Sequence, residues 1–162
     1  MSSEALSGEQ LKEHATKQAL AGDYVGARQT ASRIGDTENL RQAWQNILFV
    51  AAECRDVYAV KETIVTCLDE KLFYCHAYRD LPHTFIKAGD MDGAIEVARA
   101  MGDLGFWGLM GIAFHLAQGG DLVRAKEVLS FVHQDLEALV MPMLDECYSK
   151  AMAQQNIRQS GR

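Results

Sequence analysis

Apolar side chains recur at three-to-four-residue spacing along most of the chain, and short polar corners interrupt the rows at nearly even intervals. The clearest row is Ala43, Trp44, Ile47, Leu48, Ala51 and Ala52, on a helix expected over 40–53. Leu11, Ala15, Ala19 and Leu20 form another, and Val25, Ala27, Ala31 and Ile34 a third. Such spacing puts one apolar stripe on an α-helix and does not suit a strand, where the period is two. Ser7 followed by Gln10 has the form of a capping box and marks the start of the first helix. Further helices are expected from about Asp56 to Leu68, Leu72 to Ala88, Met91 to Met101, Phe106 to Gln118 and Leu122 to Val132. A last one carries Leu136, Leu139, Val140, Met143, Leu144, Cys147 and Met152, with Pro142 in or near its first turns. Pro82 predicts a kink, or a fresh start capped by Asp80, because its ring removes a hydrogen bond and crowds the preceding turn.

The corners resemble one another. Ala88-Gly89-Asp90-Met91-Asp92-Gly93-Ala94 matches Ala21-Gly22-Asp23-Tyr24-Val25-Gly26-Ala27 and Gly119-Gly120-Asp121-Leu122-Val123-Arg124-Ala125, with a weaker copy at Cys54-Arg55-Asp56-Val57-Tyr58-Ala59-Val60. Glycine can end a helix in the left-handed conformation, and the Asp that follows can cap the next one. The four Asp residues are separated by 33, 34 and 31 positions, so the unit repeats. Hairpins are expected at about 7–36, 38–69, 72–102 and 105–132, with a capping helix over about 135–153, a frayed 1–6 and a disordered tail at 154–162. A lone hairpin cannot bury its apolar face. The expected fold is therefore all-α: about four antiparallel helical hairpins stacked as a short right-handed α-solenoid, forming a single domain over 7–153.

With that period and corner the chain resembles the tetratricopeptide-repeat family over about 7–132. Four positions after each Asp, where the family keeps a small residue, stand Ala27, Val60, Ala94 and Ala125. Eight before it are Ala15, Leu48, Pro82 and Ala113, and twelve before it, where the family favours Trp, are Leu11, Trp44, Tyr78 and Leu109. The family's Pro at the repeat end is missing, and Arg55 replaces the expected Gly. The resemblance implies a divergent, non-catalytic adaptor whose first helices line a concave groove.

Composition narrows the function classes. A chain with 48% hydrophobic and 23% charged residues has the makings of a sizeable core. Its formal charge of −6 argues against nucleic acid as a partner. No secretory signal or membrane-length apolar run is evident, so a cytoplasmic protein without membrane contact is expected. Cys54, Cys67, Cys75 and Cys147 form no Cys-x-x-Cys pair and are read as packing thiols, with Cys54 and Cys67 sharing faces with apolar residues. Cys75 and His76 are adjacent and point about 100° apart on a helix, which rules against a nucleophile–base pair. No metal-ligand spacing or cofactor motif is found, and no enzyme activity, metal or cofactor is expected. Gly105, Gly108 and Gly111 lack the Lys-Ser/Thr ending of a phosphate loop and fit close helix packing instead.

One constellation stands out on the groove positions that the resemblance implies. His76, Arg79, His83 and Lys87 make a basic stripe on an acidic protein, and Trp107, Met110, Phe114 and Gln118 make an apolar strip in the next repeat. Gln45 and Phe49 occupy the same positions one repeat earlier. The expected partner is another protein, bound through an acidic or C-terminal peptide segment. A self-associating structural or regulatory subunit using outer or terminal surfaces is the alternative.

Overall fold

The computed structural model describes residues 6–69, 75–132 and 134–160, the side chains at 68–69, 75–79, 134–137 and 160 excepted. Among these residues the chain is all-α, with nine α-helices and no strand. It divides into two compact units, Met1–Ala77 and Tyr78–Arg162.

The first unit holds α1 (Gly8–Leu20), α2 (Tyr24–Ala31), α3 (Thr37–Glu53) and α4 (Val57–Asp69). Ser7 caps α1 as its sequence predicts: the Gln10 amide donates to Ser7 Oγ, and the Gln10 side chain accepts from the Ser7 amide. Helix α3 starts one turn earlier than its apolar row, because Asp36 accepts from the Asn39 amide and caps it. Helix α1 packs on α2 and α3, and α3 packs on α4. The row from Ala43 to Ala52 is buried, with Trp44 only 2% exposed beside a core that includes Leu11, Val60 and Ile64. Polar ties join α1 to α3 at a constant separation of 30: Lys12 Nζ donates to Gln42 Oε1 at 2.9 Å, and Asn46 Nδ2 donates to Thr16 Oγ1 at 3.0 Å.

The second unit holds most of α5 (Cys75–Lys87), then α6 (Met91–Ala100), a short 3₁₀ turn (Gly102–Gly105), α7 (Phe106–Gln118), α8 (Leu122–Leu129) and α9 (Gln134–Ser160). Its core includes Leu81, Phe85, Val97, Met101, Ile112, Leu129 and Leu144. The glycines of α7 form a seam. A Cβ on Gly105 would overlap the Ala98 carbonyl, one on Gly108 would lie 2.8 Å from Pro82 Cγ, and one on Gly111 would lie 3.4 Å from His83 Cε1. Pro82 therefore neither ends nor restarts its helix. Helix α5 runs through it, and the buried ring takes the space that Gly108 leaves.

All four corners share one backbone. Gly22, Arg55, Gly89 and Gly120 have φ of 82°, 58°, 77° and 95°. In each corner the amide of the following Asp bonds to the carbonyl five residues earlier at 2.9 Å, the long bond of a Schellman motif. Asp23, Asp56, Asp90 and Asp121 then cap the next helix, accepting at 2.8, 2.8, 2.9 and 3.0 Å from the amide three residues on. The residues four places after each Asp, Ala27, Val60, Ala94 and Ala125, are fully buried.

Three expectations need correcting. Cys54 is exposed, not packed, because it follows the last turn of α3 next to the left-handed Arg55; Cys67 is buried as expected. Helix α9 does not stop near 153. It continues through the stretch expected as a tail to Ser160, and Pro142 lies more than two turns inside it. Helix α8 ends at Leu129, three residues short of its expected limit.

Candidate interaction face on helix α7

Successive steps of about 100° put Trp107, Met110, Phe114 and Gln118 within an arc of about 80° on α7. Its other sides are taken. Gly105 and Gly108 face Ala98 and Pro82, while Leu109, Ile112, Ala113, Leu116 and Ala117 are buried. The arc left over is the predicted strip. Trp107 is 60% exposed, Gln118 is exposed, and Met110 and Phe114 are half-buried. The Trp107 ring meets Phe106 edge-on, with centroids 5.2 Å apart, and this contact orients the indole.

One margin of the strip belongs to α5. His83 approaches Gly111 closely, and Lys87 follows one turn later; both are exposed. Of the predicted basic stripe, His83 borders α7, Lys87 is exposed on α5, and the side chains of His76 and Arg79 lie outside the described residues. Gln45 and Phe49 are half-buried on α3 in the first unit.

The other margin belongs to α9 and was not part of the sequence reading. Gln118 lines a cleft of about 370 Å³ with Cys147, Lys150, Ala151, Gln154, Gln155 and Arg158. Lys150 bonds to Glu146 at 2.6 Å, which raises the lysine pKa and lowers that of the glutamate. Leu139 and Met143 lie three and two turns before Lys150 on the same side of α9, within an arc of about 40°, and both are exposed. The opposite side is tied down, with Lys126 of α8 bonded to Asp145 at 2.7 Å. The apolar periodicity of α9 could have pointed to Leu139 and Met143, but periodicity does not say which rows of a terminal helix lack a neighbour.

The second unit thus offers a partly exposed apolar strip with His83 of α5 close to Gly111, and the cations Lys150 and Arg158 of α9 in the cleft that Gln118 lines. Such a surface can bury an apolar side chain and orient an anionic group beside it. Among the described residues no group of three or more His, Cys, Asp or Glu side chains is placed to hold a metal ion. No described helix is long and apolar enough to cross a membrane. Comparison with family models, curated proteins and solved structures finds no match for this chain.

Proposed function

We propose that this chain is a non-catalytic, cytoplasmic protein–protein interaction module, a divergent tetratricopeptide-like array that binds a segment of another protein on the open face of α7. The observation that carries the reading is the strip of Trp107, Met110 and Phe114, in which Trp107 is 60% exposed and Met110 and Phe114 are half-buried. A monomer gains nothing in stability from an exposed indole. Large aromatic groups at such positions are the usual anchors of binding surfaces.

The array reading is supported by the four matching corners and by contacts one repeat apart. Lys12 to Gln42 and Thr16 to Asn46 span 30 residues, Arg124 to Asp92 spans 32, and Arg28 to Thr63 spans 35. Each spacing is that of neighbouring hairpins in a stacked solenoid. His83 and Lys87 favour a partner segment that brings carboxylates next to an apolar side chain.

The test begins with crosslinking of a partner in lysate and its identification by mass spectrometry. The partner segment is then titrated against wild type and against Trp107→Ala with Phe114→Ala. The double variant should bind at least tenfold more weakly while melting near the wild-type temperature. Lys87→Glu should weaken binding at low salt and matter less at high salt. Equal affinities for all three proteins would remove the α7 face from consideration. Light scattering that finds only a homo-oligomer, dissociated by Leu139→Glu, would favour self-association through α9 instead.

A further inference from the structure

A second cleft lies away from the α7 strip, where the end of α6, the 3₁₀ turn, the start of α7 and the end of α8 converge. It has a volume of about 540 Å³ and is lined by Arg99, Gly102, Asp103, Phe106, Leu109, Phe131 and Val132. That is within the range of about 300–1,000 Å³ typical of small-ligand sites. Four of the lining side chains are apolar. Two carry opposite charges, one turn apart in sequence.

Arg99 is held in an unusual way. Its guanidinium lies over the Phe131 ring, 4.0 Å from the centroid. Stacking uses the face of the guanidinium and leaves its in-plane N–H donors available. No hydrogen bond or ion pair engages them among the described residues. The ring thus holds a planar two-pronged donor at the edge of an apolar cleft, the geometry that takes a carboxylate through two parallel hydrogen bonds. Asp103 supplies an acceptor on the same rim and disfavours a second negative charge. The turn is closely packed, since Gly105 has no room for a Cβ against Ala98, so the rim is not free to collapse into the cleft.

From this arrangement we infer that the cleft binds a hydrophobic α-amino-acid unit with a free carboxylate. The carboxylate meets Arg99, the adjacent N–H or ammonium meets Asp103, and the side chain packs among Phe106, Leu109, Phe131 and Val132. A free amino acid and the last residue of a peptide share this chemistry. The site is separate from the α7 strip and does not rest on the function proposed for it.

The experiment is an isothermal titration of the whole chain with three probes: phenylalanine, N-acetyl-leucyl-phenylalanine, and the C-terminal amide of that dipeptide. One of the two acids should bind saturably, and the amide should bind at least tenfold more weakly. Tighter binding of phenylalanine assigns a free amino acid, and tighter binding of the dipeptide assigns a chain end. Arg99→Gln should lower the affinity of the preferred acid about tenfold, with Arg99→Lys intermediate. Because Arg99 is exposed, both variants should keep the wild-type circular dichroism spectrum. As a second readout, amide signals of Gly102 and Asp103 should shift on titration by NMR. The inference is overturned if neither acid saturates at millimolar concentration, if acid and amide bind alike, or if Arg99→Gln binds as wild type does.

Discussion

The corner between α3 and α4 has the same backbone as the one between α7 and α8, yet the helices before them place their tryptophans in opposite environments. Trp44 stands twelve residues before Asp56 and is 2% exposed; Trp107 stands fourteen before Asp121 and is 60% exposed. Two residues are about 200° on a helix, enough to carry a side chain from the packed seam to the open face. The surroundings differ as well. On α3, Gln42 and Asn46 are engaged by Lys12 and Thr16 of α1, so that surface is spent on the unit's own cohesion. On α7, Gly108 and Gly111 let α5 come close, and Trp107 is left facing outward. The same corner can therefore serve helices of different use, because it fixes backbone path and not face chemistry.

The largest expected effect tests the buried half of this comparison. Trp44→Ala should destabilise the protein by about 3–5 kcal/mol in urea unfolding, the usual range for removing a large buried aromatic group. The Trp44 indole Nε1 is buried without a hydrogen-bond partner, which is costly in itself. Trp44→Phe discards that unpaired donor with less loss of volume and should cost far less than the alanine variant. Equal losses for the two would mean that the indole N–H has a partner in solution.

The corners come next. Left-handed backbone costs a non-glycine residue about 1–2 kcal/mol, and Arg55 has that conformation at φ 58°. Arg55→Gly relieves it but loosens the unfolded chain by about 0.4–1 kcal/mol, so a net gain of about 0–1.6 kcal/mol is expected. Gly120→Ala should instead lose about 1–2 kcal/mol, since a Cβ there would also crowd Met152 Cε at 3.3 Å. Opposite signs in thermal melts would establish that the two corners share one geometry; a destabilised Arg55→Gly would mean that they do not.

This bears on what the sequence could convey. The four Asp residues revealed the corners, including the one without glycine, because capping requires a particular oxygen and so leaves a residue-level mark. Burial was legible for the same reason: every named residue of the α3 row is in the core. The fate of Cys54 was not, since its place in an apolar row says nothing of a helix ending there. The fresh start that Pro82 allowed does not occur, and the seat of its ring is supplied by Gly108, 26 positions away, which local sequence does not convey. The α7 strip could be named from the positions that the resemblance implies, but Leu139, Met143 and Lys150 on α9 could not be, because no later helix fixes which side of a terminal helix stays open. The cleft at Arg99 left only a faint trace, a cation and an aromatic group 32 residues apart, close to the spacing of the corner Asp residues.

A pH effect further distinguishes the corner that follows α3. Burial, a hydrogen bond with Cys54, and the nearby charges of Cys54 and Asp56 push Tyr24 up from 10.0 to about 12. The folded state thus holds the phenolic proton more tightly than the unfolded chain. The stability this contributes is complete below about pH 10 and is lost as pH rises through about 12. Tyr24→Phe should therefore lose less stability than wild type over that interval, as followed by urea unfolding. Parallel curves would separate Tyr24 from the Cys54 corner.

The smallest expected change in stability is at Trp107. Its indole is mostly in water, so Trp107→Ala should alter unfolding free energy by no more than about 0.5 kcal/mol, the usual bound for surface positions. It should at the same time remove the fluorescence that acrylamide quenches readily, leaving the protected emission of Trp44. Small stability change with large loss of quenchable signal is the signature of an open face. A loss of more than about 2 kcal/mol would instead place Trp107 in a buried environment in solution, well outside the range for an exposed side chain. The cover would then have to be another copy of the chain, and mass action gives the check. Wild-type melting temperature should rise with protein concentration in that case, and the rise should vanish in the variant. Concentration-independent melting in both proteins, with a neutral Trp107→Ala, leaves the strip free to meet a different partner.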